Sequence, residues 1–537
     1  MKTRSESDSL GSLAVPAEAY YGIQTLRGSR NFPITGRAIH PQLIISLAQV
    51  KKAAAMVNRE TGRLEPDLAG AVIAACDEII AGRLRDQFIV DAIQGGAGTS
   101  ANMNANEVIA NRAIELLGGV KGDYGLVHPN DHVNMCQSTN DVFPTAGRLT
   151  VLKLLAPLEE ELERLDEAFR QKAAEFNDVV KMGRTQLQDA VPIRLGQSFQ
   201  AYAAAVSRDL ERLKRSEAAM AQVNLGGTAI GTAVNTDPGY LQKIVPVLRE
   251  VSGLPVTQAR DLIDATQNLD GFVEVSGAIK TCAVNLSKIA NDLRLLSSGP
   301  KTGLAEITLP ARQNGSSIMP GKINPVIPEA VSQAAFNIIG NDLTVALAAE
   351  AGQLELNAFE PVLFHNLFES LDTLRGAAAT FTDNCVFGIA ANRRRCRELL
   401  EQSTGTVTAL TPYIGYQRAG GRTEAVGPGP AGGGTGSGEN DPLAFLKLSA
   451  DLPGLFGFFR ISRFFSRLSG VCPDSPLFPG TFRDFTGARP LLGLLRSLAV
   501  PGNFPGAWLW AARGVTIKGK NSVYFSLCHS IFVIQSL

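Results

Sequence analysis

From about Val142 to Asn177 the chain sets Leu149, Leu152, Leu155, Leu158, Leu162 and Leu165 three or four residues apart, with charged residues between them. An apolar stripe at that spacing is one face of an α-helix, and a strand cannot present it. Arg194–Val223 carries a second stripe, Leu195, Phe199, Tyr202, Val206 and Leu210, and the spans Asp261–Ser297, Pro328–Ala351 and Asn366–Phe387 read the same way. Helices of about 25 to 35 residues lie side by side as a long bundle rather than as a small globule. Almost nothing before residue 417 alternates as a sheet would.

The expected fold class is therefore mainly all-α. A central helical bundle would occupy residues 141–396, after a smaller, mostly helical N-terminal domain over 1–140 and before the start of a C-terminal domain at 397–416. Within the first of these, residues 1–40 read as irregular, with turn-like steps around Tyr20–Gln24. Pro41 then opens a helix to about Asn58, with Leu43, Ile44, Leu47, Val50 and Ala54 on one face, and another is expected over Pro66–Gly82.

Composition narrows the partners. The 51 basic residues balance 51 acidic ones, so there is no electrostatic case for nucleic acid or for an anionic membrane, and a small-molecule substrate is expected. Seven scattered cysteines, never spaced C-x-x-C, argue against a disulfide framework and a structural zinc, and fit a reducing cytoplasm. Met1–Leu10 is polar and lacks the form of a secretory signal. No apolar run reaches the roughly 18 residues of a membrane span.

Between the helices lie polar interruptions that can carry chemistry. Gly315–Pro325 reads G-S-S-I-M-P-G-K-I-N-P, a loop with the hydroxyls of Ser316 and Ser317, the cation Lys322 and the amide Asn324. Such a set suits a hydroxyl that takes a proton from carbon while an anionic substrate is gripped. Lys322 can bind a carboxylate and Asn324 can donate to a developing enolate oxygen, provided loop N–H groups or a cation stabilise the serine alkoxide. By composition alone a solvated Gly/Pro/Ser turn is the favoured reading of this loop. Gln94–Ser100, Q-G-G-A-G-T-S, feeds a helix-like run over Ala101–Leu117 and either presents N–H groups to an anion or is an ordinary glycine turn. His128–Asp141 holds two histidines four apart, but Pro129 and the lack of a third ligand argue against a metal and for a polar turn capping the next helix.

The eleven-residue loop, continued by Val326–Glu329 (V-I-P-E), resembles the signature of the aspartase/fumarase superfamily, as do Tyr20–Gln24 with Asn31–Gly36, the G-T-S of Gly98–Ser100 and the Q-S-T-N-D of Gln137–Asp141. The resemblance implies a lyase that takes a proton from the carbon beside a carboxylate and expels an amine or hydroxyl. It implies Ser316 as the base and Thr99, Ser138, Thr139, Asn140, Thr185, Gln186, Ser317, Lys322 and Asn324 as substrate-binding residues. It also implies a homotetramer whose sites are shared between subunits, no required cofactor or metal ligand set, and magnesium as an activator. Gln186 stands where fumarases have histidine in G-R-T-H. A neutral amide suffices there when the leaving amine is already protonated. With the N-P-V-I-P-E of Asn324–Glu329 and Glu350 in Ala348–Asn357, this points to the aspartase branch, which converts L-aspartate to fumarate and ammonia. Class II fumarase is the alternative, and a folded but inactive scaffold such as the lens crystallins is another.

The resemblance ends near Tyr416. Gln417–Gly438 is rich in glycine and proline, and the stretch beyond it, rich in Phe, Leu, Pro and Arg, holds both tryptophans. Residues 417–537 read either as a linker with an added domain or as a stretch translated out of frame, and the sharp join favours the second.

Overall fold

The computed structural model describes residues 2–419 and four three-residue strands further on. The chain divides into two compact units, Met1–Pro428 and Gly429–Leu537.

The first unit opens with a hairpin, β1 (Thr3–Asp8) and β2 (Gly11–Pro16), paired antiparallel from Thr3 opposite Pro16 to Asp8 opposite Gly11. Helix α1 (Ile23–Asn31) follows. Both correct the expectation of an irregular start. The hairpin was hidden because its first strand, T-R-S-E-S-D, is polar on both faces, with only Glu6 buried. The start of α1 is fixed from a distance: Glu107 Oε2 accepts the Gly22 N–H at 2.8 Å and the Thr25 N–H at 3.0 Å, and its Oε1 accepts that of Gln24 at 2.9 Å. A buried carboxylate at a helix N-terminus satisfies donors that have no intrahelical partner. The Y-G-I-Q-T string is thus the lid of a carboxylate on another helix.

Helices α2 (Pro41–Glu60), α3 (Pro66–Ile80) and α4 (Thr99–Leu116) complete this end of the unit. Leu47, Val50, Ala54 and Val57 of α2 are buried with Val72, Ala75 and Ile79 of α3 in one core.

The long helices are α5 (Thr139–Glu175), α6 (Leu195–Met220), α9 (Asp270–Leu296), α10 (Val326–Glu350) and α11 (Glu360–Asn384). Each packs on the next and α11 returns to α5, so the five close into a ring. The leucine stripe of α5 is part of the core, with Leu149, Leu155, Leu158, Leu162 and Leu165 fully buried. α5 has Pro144 inside its first turns. Proline offers no N–H to the carbonyl four residues back. That carbonyl, on Asn140, instead accepts from Asn224 Nδ2 at 3.0 Å.

Between the long helices run shorter pieces. β3 (Val180–Thr185) and β4 (Gln188–Arg194) make a hairpin where an interruption was expected. β5 (Gln222–Val223), α7 (Pro238–Ser252), β6 (Thr257–Gln258) and α8 (Asp264–Gln267) fill the span before α9. The single helix expected over Asp261–Ser297 is therefore two, and α11 begins six residues ahead of the expected Asn366, at Glu360. β7 (Ile307–Thr308) pairs with β8 (Ala390–Ala391), and α12 (Arg393–Gln402) and α13 (Thr411–Ile414) come near the end of the described part of the unit, which closes with a helical turn at 416–419.

In the second unit, β9 (Trp508–Trp510) pairs with β12 (Phe532–Ile534), and β10 (Val515–Ile517) with β11 (Val523–Phe525), both antiparallel. The reading of residues 417–537 as out of frame otherwise falls outside the described residues.

Candidate active site

The expected site residues fall in three groups. The first sits where α4 and α5 begin. Gly98 caps α4 with φ +83°, a conformation that suits glycine, and a Cβ there would meet the Phe143 ring at 2.4 Å. Thr99 is the first helical residue, exposed, with Oγ1 donating to the Gly96 carbonyl at 2.6 Å. Ser138 caps α5: its Oγ accepts the Asn140 N–H at 3.2 Å while its own N–H donates to Asp141 Oδ1 at 2.9 Å. That reciprocal pair leaves the Ser138 O–H proton to donate outward. Thr139 Oγ1 accepts from Asn102 Nδ2 at 3.0 Å, which ties the α5 start to α4. Asn140 Nδ2 donates to the Ala229 carbonyl at 2.8 Å, so one of its N–H bonds is spent within the chain.

The second group is the tip of the β3–β4 hairpin. Thr185 ends β3 opposite Gln188, and Gln186 and Leu187 make the turn with φ of +54° and +64°. A two-residue turn with both φ positive matches the twist of the flanking strands, and it normally selects Asn or Gly. Here a glutamine and a leucine hold it, both exposed. Backbone in this region costs a side chain about 1 kcal/mol, a cost that concentrates at functional positions.

The third group is the loop leading into α10. Ser316 Oγ accepts the N–H groups of Ile318 at 3.2 Å and Met319 at 2.9 Å. Hydrogen bonds donated to an oxygen favour its anion, which is what a serine base requires. The Ser317 N–H finds no protein acceptor among the described residues, whereas the N–H groups of the next two residues serve Ser316. Gly315 closes the loop, its N–H donating to the Lys322 carbonyl at 2.8 Å. Asn324 Nδ2 donates to the Gly315 carbonyl at 2.7 Å, so one of its N–H bonds is spent inside the loop. Lys322 is exposed and forms no ion pair among the described residues, which leaves its charge to an anion.

Within one chain the first group is joined through Asn102, and no hydrogen bond among the described residues links any group to another. Among the described residues no cluster of three or more His, Cys, Asp or Glu side chains could hold a metal ion.

Sequence reasoning missed a buried network behind the first group. Lys51 of α2 has no exposure, and its Nζ donates to Asn134 Oδ1 at 2.7 Å. Asn102 Nδ2 and Asn106 Nδ2 reach the same oxygen at 3.2 Å each. Burial pushes the Lys51 ammonium down to about 7, against the pull of Asp141. Burial pushes the Asp141 carboxyl up to about 6, against the N–H groups of Ser138, Thr228 and Gly226 and the charge of Lys51. The signal lay in the helix period, because Lys51 follows Leu47 by four residues and so stands on the core face of α2.

A ring of long helices with a serine-bearing glycine/proline loop at one end and capped helix starts as anion donors defines a lyase scaffold. A sequence profile described as lyase matches residues 11–340. The chain is 56% identical over 416 residues to an aspartate ammonia-lyase of Bacillus subtilis, covering 78% of this chain and 88% of that one. Among solved structures it is similar to a fumarate lyase:delta crystallin from Brucella melitensis, with TM-score 0.77 and 52% identity over 79% of this chain and 93% of the other. A class II fumarase from Schistosoma mansoni matches with the same TM-score at 36% identity, over 79% of this chain and 92% of the other. The chain belongs to the aspartase/fumarase superfamily of lyases.

Proposed function

We propose that this chain is an aspartate ammonia-lyase that eliminates ammonia reversibly from L-aspartate to give fumarate. The observation that carries the reading is Ser316 Oγ, held by two backbone N–H groups beside an uncommitted lysine. The 56% identity to an aspartate ammonia-lyase supports it.

In the proposed reaction Thr99, Ser138, Thr139, Asn140, Thr185, Gln186, Ser317, Lys322 and Asn324 hold the substrate. Ser316 Oγ takes a proton from the methylene carbon, and the electron pair of that C–H bond moves into the adjacent carboxylate as an aci-carboxylate dianion. Hydroxyl and N–H donors aimed at such charge are worth on the order of 3 kcal/mol of barrier each. The pair then returns to form the carbon–carbon double bond as the C–N bond breaks, the amine, already protonated as –NH3+, leaves as neutral ammonia, and the proton taken by Ser316 is released to solvent, where it completes the ammonium ion. Electrons balance within the substrate, so no redox cofactor enters. Magnesium is proposed as an activator only, and no step is assigned to it.

That no hydrogen bond among the described residues links the three groups within one chain supports a homotetramer in which each site is assembled from several subunits. A second support is α10: Val331, Ala335, Ile338 and Val345 are buried, yet Phe336, Leu343 and Leu347 stay 62%, 63% and 59% exposed. A helix apolar on both faces is one that an assembly covers. Cys76, Cys136, Cys282, Cys385 and Cys396 are free thiols, which supports placing the enzyme in the cytoplasm. Among the described residues no helix is long and apolar enough to cross a membrane.

The test is Ser316→Ala. Turnover of L-aspartate should fall by at least about a thousandfold with the oligomer unchanged, because the proton loses its acceptor. A variant that keeps a tenth of the wild-type rate excludes Ser316 as the base.

A further inference from the structure

The mechanism leaves one buried ionic cluster unused. Glu306 has no exposure, yet its Oε1 accepts from Arg184 Nη1 at 2.8 Å and its Oε2 lies 3.1 Å from Lys181 Nζ. Lys181 and Arg184 are three residues apart on β3, and in a regular strand they would point to opposite faces. The register of the β3–β4 ladder shifts between Met182 and Arg184, and that irregularity turns both cations onto one carboxylate. Thr185, the next residue, is left exposed at the tip.

Glu306 is itself held firmly. Its carbonyl accepts the Asn392 N–H at 2.9 Å and Cys396 Sγ at 3.5 Å. Its neighbours on the same loop are fixed by Arg395, which donates to the Leu304 and Gly303 carbonyls at 3.2 Å each. The residues immediately after it form β7 and run on to the Ser316 loop. One buried carboxylate therefore connects the substrate-side hairpin to the segment that delivers the catalytic loop.

A replacement by a well-packed apolar group often serves stability as well as a buried ion cluster does, so stability alone does not explain this arrangement. We infer that Glu306 is a positioning residue: clamped by Arg184 and Lys181, it sets where the hairpin presents Thr185 and Gln186 to the substrate. The inference rests on the proposed reading of Thr185 as a substrate-binding residue.

A double-mutant cycle on the full chain tests it, with Glu306→Gln, Thr185→Ala and the pair, following fumarate from L-aspartate. Gln keeps the shape and removes the charge. If Glu306 acts through the tip, Glu306→Gln raises KM and lowers kcat/KM by about 10- to 100-fold, as expected for a misplaced binding group, and adds little to Thr185→Ala. Arg184→Lys, which keeps the charge and loses the directed hydrogen bond, should show the same sub-additivity and stands in if Glu306→Gln does not assemble. Losses that multiply, or an unchanged KM in a folded Glu306→Gln enzyme, overturn the proposal. A Thr185→Ala enzyme with wild-type KM overturns it as well, by removing what is positioned. A wild-type chain inert toward L-aspartate fails earlier, and that failure lies with the functional reading.

Discussion

Gly315 shows how tightly the residue scale is set. A Cβ on it would stand 2.6 Å from the Lys322 carbonyl and 2.9 Å from the Asn324 N–H nitrogen, inside the hydrogen bonds that close the loop. Gly315→Ala should therefore displace Ser316 from its two donors without reaching the helical core. The expected outcome is a loss of about a hundredfold in kcat with an unchanged circular dichroism spectrum; a variant with wild-type turnover would show that the loop geometry does not matter. The loop was legible in the sequence because its string is long and its residue types are chemically narrow. Lys51 was not, because a single charged residue on an apolar face carries no local mark of its partners. Asn134 and Asn102 lie about 80 and 50 positions away, and only the packing of α2 against α4 and the turn at Pro129–Val133 brings them to it.

At the scale of elements, the long helices were legible and the short strands were not. A 37-residue helix repeats its stripe often enough to outweigh Pro144, whose missing bond is made good by Asn224, a partner no periodicity reveals. β1 and β3 are paired by backbone bonds while their side chains answer to a few ions, so their patterns stay polar. α7 was not read at all.

The buried network of α2 makes a prediction at this scale. The Lys51 pKa falls from 10.5 to about 7 in the folded chain, so between those values the unfolded chain binds a proton that the native one has released. Stability from this group therefore rises with pH across that window, by up to about 1.4 kcal/mol per pH unit for one proton. Asp141 works in the opposite sense at lower pH. Its folded pKa of about 6 lies above 3.8, so its contribution is present below the unfolded value and is lost as pH rises through the folded one. Urea midpoints measured from pH 7 to 10 should show a slope that Lys51→Met flattens. An identical slope in the variant would contradict burial as the source of the shift.

At the scale of the whole molecule, the exposed stripe of α10 and the site groups that no hydrogen bond joins make one prediction together. Phe336→Glu with Leu343→Glu places charge on the face proposed to be covered by other subunits. Light scattering should report species smaller than a tetramer, and turnover should disappear with assembly although Ser316 is untouched. Retained activity in a monomer would mean that one chain builds the site alone. The fold class and lyase family were legible at this scale, because both rest on long patterns, whereas the assembly was implied only by resemblance.

The most direct test of the account is the ultraviolet absorbance of fumarate formed from L-aspartate, with L-malate in a parallel cuvette. Gln186 stands on an exposed turn where fumarases carry histidine, and its neutral amide cannot protonate a departing hydroxide. The account predicts fumarate from L-aspartate and none from L-malate. Fumarate from L-malate alone would contradict it and assign the chain to the fumarase branch.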